Sequence, residues 1–256
     1  MTMRLRQIAL VAHDLEPVVR DLKTVFGLRV AFRDPAVGVF GLINAVMPVG
    51  GEFIEVVQPV KADASATRYL KRRGGDAGYM LIFQSADALA HRVRLTGQGI
   101  RSIAQHETRD YTFTHFHPGD FNGVLTSIDM VDDGGSWREP MGKWPPAGKS
   151  WKEELAPGDV LGIVAADVQA REPAQVAGRW TDLLQARQQD NAVALNMGVI
   201  RFVHPIDSDG TGVVGIDIAV RNPAAVLDRA KANGIPVKND AVWICGTALK
   251  PVLPQA

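Results

Sequence analysis

Ile54-Glu55-Val56-Val57-Gln58-Pro59 returns later in the chain as Ile200-Arg201-Phe202-Val203-His204-Pro205. A second echo pairs Gly78-Tyr79-Met80-Leu81-Ile82-Phe83 with Gly215-Ile216-Asp217-Ile218-Ala219-Val220, and each member is followed by a helical pattern ending at Gly97 or Gly234. The two echoes keep their order, so a unit of strand, helix and further strands has been duplicated. Self-similarity on this scale sets the architecture before any local motif does.

Outward from these echoes the units take shape. Gln7 to Ala12 is a short apolar run. Leu15 to Phe26 carries Leu15, Val18, Val19, Leu22, Val25 and Phe26 at helical spacing, with Gly27 as its stop. Leu28 to Arg33, Val37 to Pro48 and Glu52 to Val57 read as strands, giving a βαβββ unit. A connecting helix over 64–73 leads to a second unit, with a strand from Gly78, a helix over 87–96, and strands near 100–104, 111–117 and 123–130. Residues 132–158 hold Gly134-Gly135, Pro140, Pro145-Pro146, Gly148 and Pro157-Gly158, which predicts a linker without regular structure. Its tryptophans, Trp137, Trp144 and Trp151, are expected to pin it to a domain surface. Two further units follow. The expected class is α+β: tandem βαβββ modules, two per domain, each pair forming a curved mixed sheet around a cleft. The expected domains are 1–131 and a degenerate copy over 159–256.

Lys plus Arg and Asp plus Glu number 28 each, so no basic field favours nucleic acid or an anionic membrane. One cysteine, Cys245, rules out an internal disulfide framework and suits a reducing compartment. The start of the chain runs into a strand pattern without a signal-peptide core, and no apolar run approaches membrane-spanning length. A cytoplasmic protein, monomer or homodimer, acting on a small molecule is the expectation.

Several strings in order resemble the vicinal-oxygen-chelate superfamily, which includes glyoxalases, bleomycin-resistance proteins and extradiol dioxygenases. Ile54 to Pro59 looks like the epimerase-type "IELLEP" strand, and Tyr69-Leu70-Lys71-Arg72-Arg73-Gly74 is similar to "FLEKRG". His117-Pro118-Gly119-Asp120-Phe121-Asn122-Gly123-Val124-Leu125 is similar to "HPKxxGGVL". The resemblance implies paired modules whose sheets enclose a cleft, with four strand positions converging on a divalent metal. Those positions fall on Gln7, Glu55, Tyr79 and Ser127. Tyrosine and serine are poor ligands, and divalent metals of this class want several imidazoles, thiolates or carboxylates. In the second half Arg201 and Lys250 replace Glu55 and Ser127; these two cations repel a metal and would suit a carboxylate or phosphate.

Three readings stand. In the first, Glu55, desolvated on an apolar strand, is a general base, and Tyr79 donates to an enolate, as in an isomerase, epimerase or lyase. Gln7, His115 and Ser127 would then contact the substrate. In the second, the cleft binds a ligand and turns nothing over, as in a bleomycin-resistance protein. In the third, a divalent metal ion sits in the N-terminal domain; His115, His117 and Glu55 would form its two-His, one-carboxylate site for a lyase or dioxygenase. Against all three stands a plain alternative, that Glu55 pairs with Arg4 or Arg6. Asp129 shares the face of Ser127 and is expected to end its strand at the surface. His13, His91 and His106 are expected on the surface.

Overall fold

The computed structural model describes residues 3–132, 135–156, 158–207 and 210–254; Gly134 and Pro157, two of the breakers read in the linker, lie outside this range. The first half runs β1 (Met3–Val11), α1 (Leu15–Phe26), β2 (Leu42–Val49), β3 (Glu52–Pro59), α2 (Ser65–Arg73), β4 (Ala77–Ser85), α3 (Ala88–Gly97), β5 (Ser102–Glu107), β6 (Tyr111–Phe116) and β7 (Leu125–Val131). The second half runs β8 (Val160–Gln169), α4 (Pro173–Leu184), β9 (Arg187–Gln189), β10 (Ala192–Ala194), β11 (Val199–Val203), β12 (Gly212–Val220), α5 (Pro223–Ala232), β13 (Val237–Lys238), β14 (Ala241–Ile244) and β15 (Thr247–Val252). Each half makes one mixed sheet, in the orders β2-β3-β1-β4-β7-β6-β5 and β13-β14-β15-β12-β8-β11-β10-β9. In both, the opening strands of the two modules lie side by side and antiparallel, and each pairs in parallel with the last strand of its own module. The class is α+β with tandem βαβββ modules, as the duplication predicts.

Helix α1 begins where Asp14 accepts a hydrogen bond from the Glu16 amide and ends at Gly27 in the left-handed region, φ 70°. Two expected strands change. Leu28 to Arg33 forms no strand; Phe32 alone bridges Val46 at the sheet edge. Val37 to Phe40 joins a 3-10 helix, Pro35–Phe40, because Asp34 caps the Ala36 amide and Pro35 fixes the first turn. The linker is not featureless: it forms 3-10 turns at Ser136–Arg138, Pro145–Ala147 and Trp151–Glu154.

Alternation along the strands divides the side chains of the first sheet between two cores. Ile54, Val56, Leu81, Phe83 and Ile128 join α1, α3 and the second half in one continuous core. Phe53, Val57, Tyr79 and Val131 face the opposite way and pack with Tyr69 of α2 and with Trp144 and Trp151 of the linker. The halves meet closely. The Leu5 amide donates to the Met197 carbonyl at 3.0 Å, and a Cβ added at Gly78 would lie 2.4 Å from the Val213 carbonyl oxygen. Only glycine admits that approach.

Candidate active site on the linker-covered face

Glu55 lies on β3 between Phe53 and Val57 in alternation, so it shares their linker-covered face. It is buried, 7% exposed. Its Oε2 accepts from Gln7 Nε2 at 2.9 Å, and its Oε1 accepts from Asn44 Nδ2 at 2.6 Å. The orientation of both amides follows from groups that can only donate. The Trp144 indole N–H donates to Gln7 Oε1 at 2.7 Å, and the Asp34 backbone N–H donates to Asn44 Oδ1 at 2.7 Å. Each amide therefore turns its NH2 toward Glu55. Both glutamate oxygens are acceptors, so the network is built for the ionised form. Burial pushes the Glu55 carboxyl above the usual range, and the Asn44 and Gln7 hydrogen bonds pull it back.

Neither arginine answers to Glu55. Arg4 turns to Glu52 at 2.5 Å, and Arg6 reaches the Pro140 and Gly142 carbonyls and lies over the Phe53 and Trp144 rings. The expected ion pair with Glu55 is replaced by two neutral amides.

A second acid shares this face. On β7, Ser127, Asp129 and Val131 alternate with Ile128 of the shared core, and the β6–β7 register sets Tyr111, Phe113 and His115 beside them. Asp129 is 2% exposed, not at the surface as expected, because β7 runs on to Val131 under the linker. Tyr111 and Ser127 each donate a short hydrogen bond to it, one per carboxylate oxygen. With no cation beside it among the described residues, burial pushes its carboxyl up to about 7 against the pull of those two hydroxyls. Tyr111 meets Trp144 edge-on at 5.9 Å, so one indole touches Tyr111 and, through Gln7, reaches Glu55.

The remaining expected site residues scatter. Tyr79 packs edge-on against Tyr69 at 5.0 Å and makes no hydrogen bond to Glu55, and burial raises its phenol to about 12. His115 stacks on Phe113 at 4.5 Å and lies 5.5 Å from Phe40, and burial lowers its imidazole to about 4, so it is neutral at pH 7. His117 lies beyond the end of β6 and accepts from the Gly119 amide at the following turn, so the two-His, one-carboxylate arrangement is not built. His91, expected on the surface, is buried beside Arg94. Among the described residues no three His, Cys, Asp or Glu side chains group as a metal site, and both Glu55 oxygens already have amide donors. The donor set does not fit a divalent ion.

In the second half Arg201 is held by Asp167 at 2.5 Å and Asp217 at 2.7 Å, while Lys250 is exposed. The guanidinium is neutralised internally, which overturns the anion-pocket reading of Arg201 with Lys250.

The paired modules set their opening strands side by side, and the linker-covered face holds Glu55. Each half repeats the paired βαβββ arrangement that the sequence resemblance implies. No protein-family model matches the sequence, and no curated protein matches it. Among solved structures, a Streptomyces coelicolor methylmalonyl-CoA epimerase variant in complex with 2-nitronate-propionyl-CoA is 20% identical, covers 52% of this chain and 100% of its own, and has a TM-score of 0.47. The Mycobacterium tuberculosis epimerase is 20% identical over 51% of this chain and 89% of its own, with a TM-score of 0.46. A Bacillus halodurans protein is 15% identical over 52% and 97%, with a TM-score of 0.46. Among the described residues no helix is long and apolar enough to cross a membrane.

The buried acid has a testable cost. Between pH 3.8 and about 7, folded Asp129 holds a proton that the unfolded chain has lost. Its stabilising effect is complete below pH 3.8 and is lost as pH rises through 7. Asp129→Asn is therefore expected to be more stable than wild type at pH 8, by about 1–3 kcal/mol, with the gap closing toward pH 4. Urea unfolding at the two pH values measures it; an equal gap at both would remove the titration as its cause.

Proposed function

We propose that the chain is an enzyme of the isomerase or epimerase kind, in which Glu55 removes a proton from the carbon next to a carbonyl. One observation carries this reading. Glu55 is a buried carboxylate whose hydrogen-bond partners are two neutral amides, fixed to leave it ionised while burial raises its proton affinity. A general base at neutral pH needs that combination. The epimerase-like strings over Ile54–Pro59 and His117–Leu125 support an acyl thioester as the substrate.

Trp144 bears on access. It is 1% exposed and seated on Gln7, so substrate meets Glu55 from the side of the half-buried Tyr111, Phe113 and His115 or by displacing the indole. That same seating favours a second reading, in which this face only binds a ligand.

Methylmalonyl-CoA in D2O tests the proposal, with α-deuterium incorporation followed by NMR. Wild type is expected to exchange the α-proton, and Glu55→Gln to lose at least about 100-fold in rate with affinity kept within a few-fold. Binding without exchange in wild type would leave the ligand-binding reading.

A further inference from the structure

Glu55 lies under two covers, and they are held very differently. The linker is held fast: Arg4 and Arg6, both fully buried, donate to the carbonyls of Glu139, Pro140 and Gly142, and Trp144 and Trp151 pack on Phe53. The second cover is the Pro35–Phe40 turn. Phe40 stands just before β2, at one edge of the first sheet, yet its ring lies 5.5 Å from His115 on β6. Strands β3, β1, β4 and β7 lie between those two. The sheet therefore curls, and the turn bridges its mouth on the side of Tyr111, Phe113 and His115. On top of burial, the Asp34 carboxylate that caps the turn raises both the Glu55 carboxyl on β3 and the Tyr111 phenol on β6, so it stands near both sides of the face. Resting on the reading of Glu55 as the base, we propose that residues 34–41 are a lid that opens to admit substrate, and that Asn44 is the latch joining the closed lid to the base.

The lid is lightly anchored. Phe32 is fixed to Val46 before it, and Gly41, at φ 70°, accepts from the Val60 amide after it. Between those points, among the described residues, its one polar tie to the body is the Asp34 amide on Asn44 Oδ1 at 2.7 Å. None of residues 35–40 is buried; Val39 is 79% and Phe40 40% exposed. A segment with so little burial and a single tie opens at far lower cost than the strands beneath it. The room for a substrate is the room the lid itself fills when shut.

Asn44 Nδ2 also donates to Glu55 Oε1 at 2.6 Å, so lid and base share one side chain. Opening breaks the bond from the Asp34 amide and leaves the Asn44 amide held at one end only. Closure over bound substrate restores it, and with it the hydrogen bond that fixes Glu55. Asn44 is thus a positioning residue that acts through Glu55.

The test locks the lid. Phe40→Cys/His115→Cys, in a Cys245→Ser background, is joined by a short bis-methanethiosulfonate and released by dithiothreitol; the probe is methylmalonyl-CoA in D2O. Joining is expected to slow α-deuterium exchange at least about 50-fold, and the reductant to restore it. Asn44→Ala is expected to raise the association rate of methylmalonyl-CoA about 10-fold while kcat falls about 10-fold, opposite changes that a merely structural role would not produce. Hydrogen exchange needs neither substrate nor variants, and so decides the matter if those variants do not fold. In wild type the Asp34 amide is expected to exchange at least about 100-fold faster than the β3 amides, at a rate that low urea leaves unchanged. An Asp34 amide that follows urea as β3 does exchanges only by global unfolding, and overturns the lid. Joined protein that turns over as fast as the released form overturns it too, with the role of Glu55 intact. Wild type whose Asp34 amide opens locally but which never exchanges the α-proton overturns the role of Glu55 and leaves the lid standing.

Discussion

Trp180→Ala is expected to destabilise the whole chain by about 3–5 kcal/mol, the usual cost of emptying a large aromatic site. Trp180 is fully buried on α4 of the second half, yet it touches Phe83 and Phe121 of the first half edge-on, at 6.3 and 5.3 Å, as well as its own Phe202 at 5.3 Å. The cavity would open between the halves, where two backbones already in contact cannot close over it. Its indole N–H has no partner among the described residues, so Trp180→Phe gives up no hydrogen bond there and costs much less. Because one core runs through both halves, the loss should move a single melting transition down by about 2–4 °C for each kcal/mol. Early melting of one half, with the other unchanged, would refute the shared core as the source of stability.

Arg4→Met should cost about as much, ~3–5 kcal/mol, for a different reason: it strands a buried charge. Arg4 is fully buried, pairs with Glu52 at 2.5 Å and donates to the Glu139 carbonyl at 2.7 Å. Glu52 accepts in turn from the Ile163 amide of the second half at 3.2 Å, so the pair ties β1, β3, the linker and β8 together. Burial alone raises the Glu52 carboxyl, and Arg4 is the main force lowering it. Without Arg4 the folded Glu52 carboxyl rises further above its unfolded value. The deficit is then complete above the folded pKa and shrinks as pH falls toward the ordinary glutamate range. Urea unfolding at pH 7.5 and pH 5 should show the variant approaching wild type at the lower pH. Adding Glu52→Gln should recover part of the loss at pH 7.5, since glutamine keeps an acceptor for the Ile163 amide. A deficit that ignores both pH and the second substitution would assign the cost to lost packing of the arginine stem.

Residue pattern goes far with the architecture here. The echo of Ile54–Pro59 at Ile200–Pro205 announces two copies, and strand alternation alone sets Glu55 on the face of Phe53 and Val57. Gln7 and Glu55, chosen from sequence, do meet, because β1 and β3 pair in parallel within one module. Asn44 is missed, although a polar residue between Leu42 and Val46 on a buried strand is a signal that it has a partner. Tyr111 is missed and Asp129 is set at the surface, since a carboxylate followed by Asp132 and Asp133 looks solvated from sequence.

The duplicated modules, the strand faces and the unusual acid on an apolar strand were all local facts, decided by periodicity and side-chain type within one unit. The contents of the site were not. Trp144 settles on Gln7, Asp129 ends up under the linker and Arg201 is neutralised by Asp167 and Asp217, each through contacts between segments far apart in the chain. Such contacts depend on register between strands and on where a Pro- and Gly-rich segment comes to rest, and neither leaves a periodic mark on the residues involved.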